Sequence, residues 1–133
     1  MLIIDTSLWV DFLRRHTTED VRLFIQQALR EQTAAYNCVI AMELQAGCRT
    51  PAEETVVREL LDLGRHIRVE CAHWNLAADL LKHLHKSGHK IPLSDVLTAA
   101  VAIQNRLPIA CRDKHFETIR KYGAHDFEVK TLS

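Results

Sequence analysis

Residues 2–15 read LIIDTSLWVDFLRR. The aliphatic run Leu2-Ile3-Ile4 is too brief to be a helix, whereas the residues from Leu8 onward place apolar side chains at helical spacing. The stretch therefore predicts a buried strand that passes at once into an amphipathic helix over Leu8 to Arg15, with Thr6 or Ser7 as its cap. Asp5 then stands at the carboxyl end of the strand. An ionised side chain bordering a buried sheet is either a cap or turn aspartate for the helix, or part of a site.

Reading outward, the same alternation repeats. A helix is expected from Thr18 to about Glu31, a strand at Ala34-Ala35-Tyr36, a helix capped by Asn37 and ended by Gly47, and a helix from Pro51 to the stop at Gly64. A short charged strand follows at Ile67-Arg68-Val69. The longest periodic stretch, Ala72 to Ser87, puts Trp74, Ala77, Ala78, Leu81, Leu84 and His85 on one side and stops at Gly88. Ser94 caps a helix through Asn105, Pro108 to Cys111 is a strand, Lys114 to Tyr122 a helix stopped by Gly123, and Phe127-Glu128-Val129 the last strand. Strands alternating with helices, without tight hairpin turns, predict an α/β fold with a mostly parallel central sheet and helices on both faces. In such sheets ligands gather beyond the carboxyl ends of the strands.

Composition agrees. The chain has 133 residues, 47% of them hydrophobic, with four Gly and three Pro, which fits one globular domain over residues 1–133. Seventeen Lys plus Arg balance seventeen Asp plus Glu, so net charge gives no simple electrostatic case for nucleic-acid binding. Cys38, Cys48, Cys71 and Cys111 show no C-x-x-C spacing and are expected to be small core residues in a reducing cytoplasm. The charge-free runs Thr33 to Met42 and Val96 to Asn105 are well short of the roughly 18 apolar residues of a membrane span, and no cleavable apolar leader is evident.

Three further acids sit where they need explaining. Glu43 falls between Val39 and Ile40 on the helical wheel, inside an apolar arc that Met42 and Leu44 extend. It is either salt-bridged, rotated to the rim, or functional. Asp95 follows the cap Ser94, where acids offset the helix dipole, yet its face continues through the small residues Ala99 and Ala102 to Ile103, so the helix can lie close to the sheet. Asp113 ends the strand at Ile109-Ala110-Cys111 and either caps the next helix or repeats the position of Asp5. Four carboxylates brought together would repel one another unless a hard divalent cation such as magnesium or manganese were shared among them. His83, His85 and His89 are close in sequence, but no second group at zinc spacing backs them.

At these positions the sequence resembles a known family. Leu2-Ile3-Ile4-Asp5-Thr6-Ser7, Glu43-Leu44-Gln45-Ala46-Gly47, Leu93-Ser94-Asp95-Val96-Leu97-Thr98-Ala99-Ala100 and Cys111-Arg112-Asp113-Lys114-His115-Phe116 resemble, in order and spacing, the motifs of PIN-domain ribonucleases, above all the VapC toxins of toxin–antitoxin pairs. The resemblance implies a three-layer α/β/α sandwich, an endoribonuclease dependent on Mg2+ or Mn2+, and Asp5, Glu43, Asp95 and Asp113 as the catalytic, metal-binding acids. It implies that Thr6 or Ser7 supports the site through hydrogen bonds. It further implies a small antitoxin, VapB-like, in a groove formed partly by the first helices, and a homodimer. Two departures stand out: His115 occupies a place where many relatives have a further aspartate, and Thr98 replaces a usual aliphatic residue.

Between Lys82 and Lys90 the chain carries Lys82, His83, His85, Lys86, His89 and Lys90 without an acid. With Arg112 and Lys114 beside the last acid, Lys82, Lys86 and Lys90 form either a phosphate-contacting rim for RNA or a solvated helix end complementing the dipole. A receiver-like phosphoacceptor switch also places acids around magnesium, but it needs adjacent acids after the first strand and a strand-end lysine, and here Asp5 is followed by Thr6. A catalytically silent RNA-binding or interaction module of the same fold is the remaining alternative, against which the intact acids argue.

Overall fold

Five short strands pair in parallel in the order β3-β2-β1-β4-β5. The computed structural model describes residues 1–14 and 17–132. In chain order the elements are β1 (Leu2–Ile4), α1 (Thr6–Leu13), α2 (Glu19–Arg30), β2 (Ala34–Asn37), α3 (Cys38–Ala46), α4 (Pro51–Leu63), β3 (Arg65–Ile67), α5 (Cys71–Lys86), α6 (Leu93–Asn105), β4 (Ile109–Cys111), α7 (His115–Tyr122) and β5 (Val129–Thr131). β1 is central, with Ile3 opposite both Ala35 and Ile109, and Ile4 opposite Ala110. Because parallel strands covered on both faces must be apolar throughout, Ile3, Ile4, Ile109 and Ala110 are all fully buried.

The chain builds the sheet outward from β1 to β3, then crosses back to β4 and β5 on the other side. Right-handed crossovers place α1 to α4 over one face and α5 to α7 over the other. The packing agrees: α1 contacts α2 and α3, and α3 contacts α4, while α5 contacts α6 and α7. The direction reverses between β1 and β4, and the carboxyl ends of those strands form the crevice where doubly wound sheets bind ligands. In α6 every residue from Val96 to Ala102 is buried, and the small side chains of Ala99, Ala100 and Ala102 bring this helix close to its neighbours.

Several boundaries differ from the sequence expectation for physical reasons. α1 starts at Thr6 with Asp5 as its cap, the carboxylate accepting from the Ser7 amide, so no spacer separates strand from helix. The expected helix end at Arg15 lies outside the described residues. Likewise α6 begins at Leu93 after Pro92, and Ser94 lies within its first turn rather than capping it. The edge strands shift, β3 to Arg65–Ile67 and β5 to Val129–Thr131, because backbone pairing with Ala35–Asn37 and Ile109–Cys111 fixes them rather than side-chain hydrophobicity.

The buried face of α5 comprises His73, Ala77, Leu80 and Leu84, leaving Trp74 51% exposed and Ala78 and His85 at the surface. His73 can be buried because its Nδ1 accepts from the Glu70 amide at 2.8 Å. The apolar arc of α3 is also narrower than expected, since Met42 is exposed. Of the cysteines, Cys111 is buried, Cys48 half-buried, and Cys38 and Cys71 exposed at helix starts, so the thiols are not uniformly core residues. Among the described residues no helix is long and apolar enough to cross a membrane.

Candidate functional site

Asp5 leaves β1 at the switch point, where its amide still pairs with the Ala110 carbonyl at 2.9 Å. Its side chain is only 4% exposed. Ser7 Oγ donates to Asp5 Oδ2 at 2.7 Å and itself accepts from the Arg112 amide at 3.2 Å. One hydroxyl thus fixes the rotamer of Asp5 and ties the start of α1 to the end of β4. The Arg112 guanidinium pairs with Asp11 and reinforces the same junction.

Glu43 is half-buried at the rim of α3, and its Oε1 accepts from Thr6 Oγ1 at 2.9 Å. Both hydroxyls of the Thr6-Ser7 pair therefore hold acids, where the resemblance pointed to one or the other. Asp95, in the first turn of α6, accepts from His115 Nδ1 at 2.7 Å. Asp113 Oδ1 accepts from the His115 amide at 3.0 Å, so this residue does act as a cap for the start of α7, and it lies 3.9 Å from His115 Nδ1. One ligand atom from each of Asp95, Asp113 and His115 falls within 4.8 Å of the others, and among the described residues these three form the metal-sized group.

The charges of these acids are coupled. Burial, reinforced by Asp95 and Asp113, pushes Asp5 up to about 6 although the Ser7 bonds pull it down. Asp95 is also raised, first by burial, then by Asp113 and Glu43, against the lowering effect of His115. Asp5 thus senses Asp95 and Asp113, and Asp95 senses Asp113 and Glu43, whereas the group close enough to share one ion comprises Asp95, Asp113 and His115. The oxygens of those two acids, with the His115 imidazole beside them, are a donor set that fits a divalent cation. Cys111 lies close by, but burial pushes its thiol up to about 12, which keeps it protonated and without nucleophilic character.

Two supports escaped the sequence reading. Asn37, read only as a cap, is fully buried; its Oδ1 accepts from the Ile40 amide at 3.0 Å while its Nδ2 donates to Thr98 Oγ1 at 3.2 Å. This bond joins the start of α3, which carries Glu43, to α6, which carries Asp95. Thr98 therefore does more than pack: it supplies the acceptor that a buried amide requires. His115 was visible as a departure from the family pattern, but its contact with Asp95 spans twenty residues and has no local signal.

Of two surface grooves, the first is lined in part by Glu43 and the second by none of the four acids. One, of about 530 Å3, runs between α1, α3 and α4; Val10, Leu13, Leu44 and Val56 line it, and Glu43 stands at its edge. The other, of about 660 Å3, follows α7 with Lys114, Thr118 and Lys121 along one wall and His89 stacked on Tyr122 at 4.2 Å between ring centroids. Lys82, Lys86 and Lys90 are exposed, and none of them lines this second groove.

Comparison with known proteins gives a consistent picture. The PIN domain family model matches residues 2–122. Ribonuclease VapC11 of Mycobacterium tuberculosis is 28% identical over 125 residues, covering 91% of this chain and 92% of the relative. In fold, the chain superposes on VapBC2 from Rickettsia felis bound to a promoter DNA fragment with a TM-score of 0.81 at 16% identity, covering 99% and 98% of the two chains. It superposes equally on FitAcB from Neisseria gonorrhoeae, with a TM-score of 0.80 at 21% identity and coverage of 98% and 97%. The match of the family model to nearly the whole chain, on a five-stranded parallel sheet, places this chain in the PIN domain family.

Proposed function

We propose that the chain is a metal-dependent endoribonuclease that acts as the toxin of a toxin–antitoxin pair. The observation that carries this reading is the meeting of Asp95, Asp113 and His115 in one metal-sized space beyond the end of β4, with Asp5 and Glu43 each held by a hydroxyl of the Thr6-Ser7 pair at the start of α1. The similarity to VapC ribonucleases supports the substrate class, and the likeness to toxin–antitoxin complexes supports the partner.

In this reading the four acids hold Mg2+ or Mn2+. When bound, such an ion activates water and offsets the charge that develops on a phosphodiester. The chain supplies orientation. Ser7 locks Asp5, Thr6 locks Glu43, and His115 holds Asp95, so three of the four acids are fixed before any ligand arrives. Attack by water leaves a 5′-phosphate and a 3′-hydroxyl. Lys114, next to Asp113, begins the groove along α7 and offers the first phosphate partner for RNA leaving the acids. Arg112 contributes through its amide and its pairing with Asp11, while Lys82, Lys86 and Lys90 form an outer rim.

The apolar groove between α1, α3 and α4 is the seat of a VapB-like antitoxin segment. Glu43 at its edge means that an occupant reaching past Leu44 also covers the acids. Pairing of two copies, implied by the family resemblance, leaves this groove free in each, and the setting is the cytoplasm. The test is to map newly formed RNA ends across total cellular RNA after controlled expression of the wild type and Asp95→Asn. Discrete 5′-phosphate ends that appear with the wild type and vanish with the variant support the reading; identical end maps refute it.

A further inference from the structure

We infer that His115 is a nitrogen ligand of the metal centre, which makes the site selective for manganese-class ions over magnesium. The inference rests on the reading of the acid cluster as a metal site and specifies which ion that site is built for. Its basis is geometric. His115 Nδ1 lies 2.7 Å from Asp95 Oδ2 and 3.9 Å from Asp113 Oδ1, and the three atoms share one metal-sized space. The residue is fixed there by its own amide, which donates to Asp113 Oδ1. Its imidazole therefore faces two carboxylates at the start of α7, with Nδ1 turned inward to them.

Ligand chemistry supplies the selectivity. Magnesium is bound by oxygen and keeps much of its water, whereas first-row transition ions take nitrogen ligands with an affinity that rises along the series from Mn2+, the member nearest to magnesium in its ligand preference. A site made only of Asp and Glu leaves magnesium little disadvantage. Replacing one oxygen donor by imidazole penalises magnesium and spares manganese. Coordination needs the Nδ1 lone pair, so the proton that Nδ1 gives to the Asp95 bond leaves it, and the coordinating ring is the neutral tautomer with its proton on Nε2.

The test uses the untagged full chain loaded with manganese chloride and read by pulsed electron paramagnetic resonance, which detects a nitrogen directly bound to Mn2+. The wild type is expected to show nitrogen coupling that is lost in both His115→Asp and His115→Ala. The magnesium concentration that displaces half the manganese should fall about tenfold in His115→Asp. Both variants alter a side chain that is 43% exposed, and thermal melts check that they fold. Bound manganese without nitrogen coupling in the wild type, coupling that persists in the variants, or an unchanged displacement ratio overturns the inference. Those results leave the nuclease reading intact if the wild type cleaves RNA and Asp95→Asn does not, whereas failure of manganese to bind at all overturns both.

Discussion

Asp5 is buried where ionisation is costly, and its pKa of about 6 without a cation, against an ordinary 3.8, sets a pH-dependent strain. An acid whose folded pKa is raised contributes stability fully present below its unfolded value and lost as pH rises through the folded one. The metal-free fold therefore weakens between about pH 4 and pH 6, by on the order of 2–3 kcal/mol. Asp5→Asn removes the charge and keeps an oxygen for the Ser7 hydroxyl. In chelator, thermal melts should show this variant more stable than the wild type near pH 7, with the advantage gone near pH 4, while RNA cleavage is abolished. Equal melting temperatures at both pH values would mean that Asp5 carries no such strain. The residue was legible in the sequence because a bare three-residue strand leaves its following acid nowhere else to go; the size of its shift was not, because Asp95 and Asp113 come from distant segments.

At the level of elements, the helices bearing the acids are held by polar contacts that periodicity does not encode. Thr98→Val leaves the Asn37 amide buried without its acceptor and should cost about 1–3 kcal/mol in denaturant unfolding. It should also lower cleavage by loosening α6 against α3. In the apolar groove, Val56 is 46% exposed on α4 and is not one of the proposed metal-holding residues, so Val56→Asp should weaken antitoxin binding about tenfold to a hundredfold while the free chain still cleaves. The affinity for a co-expressed antitoxin, measured beside the cleavage rate, separates the two effects. Central elements were legible for a reason that edge elements lack. β4, the Ile3-Ile4 pair of β1 and α6 from Val96 to Ala102 are buried and almost wholly apolar, whereas β3 and β5 take their limits from the strand beside them. His73 rotated the apparent face of α5 because a buried histidine with a backbone partner counts as polar in any hydropathy pattern.

For the molecule as a whole, a formal charge of zero conceals a strong local arrangement. Asp95, Asp113 and His115 share one metal-sized space, Asp5 is shifted by both of those acids, and Lys114 and Lys121 line a groove along α7 together with Glu117 and Arg120. On the proposed reading, non-specific attraction to RNA is weak, and the positive charge that matters for a phosphodiester would arrive with the cation. The measurement that tests this most directly is cleavage of RNA by the purified chain, free of antitoxin, with manganese or magnesium, with chelator, and with Asp95→Asn in parallel. The account predicts cleavage to 5′-phosphate ends that requires added metal and is absent from the variant. Cleavage that survives both chelator and Asp95→Asn would contradict it.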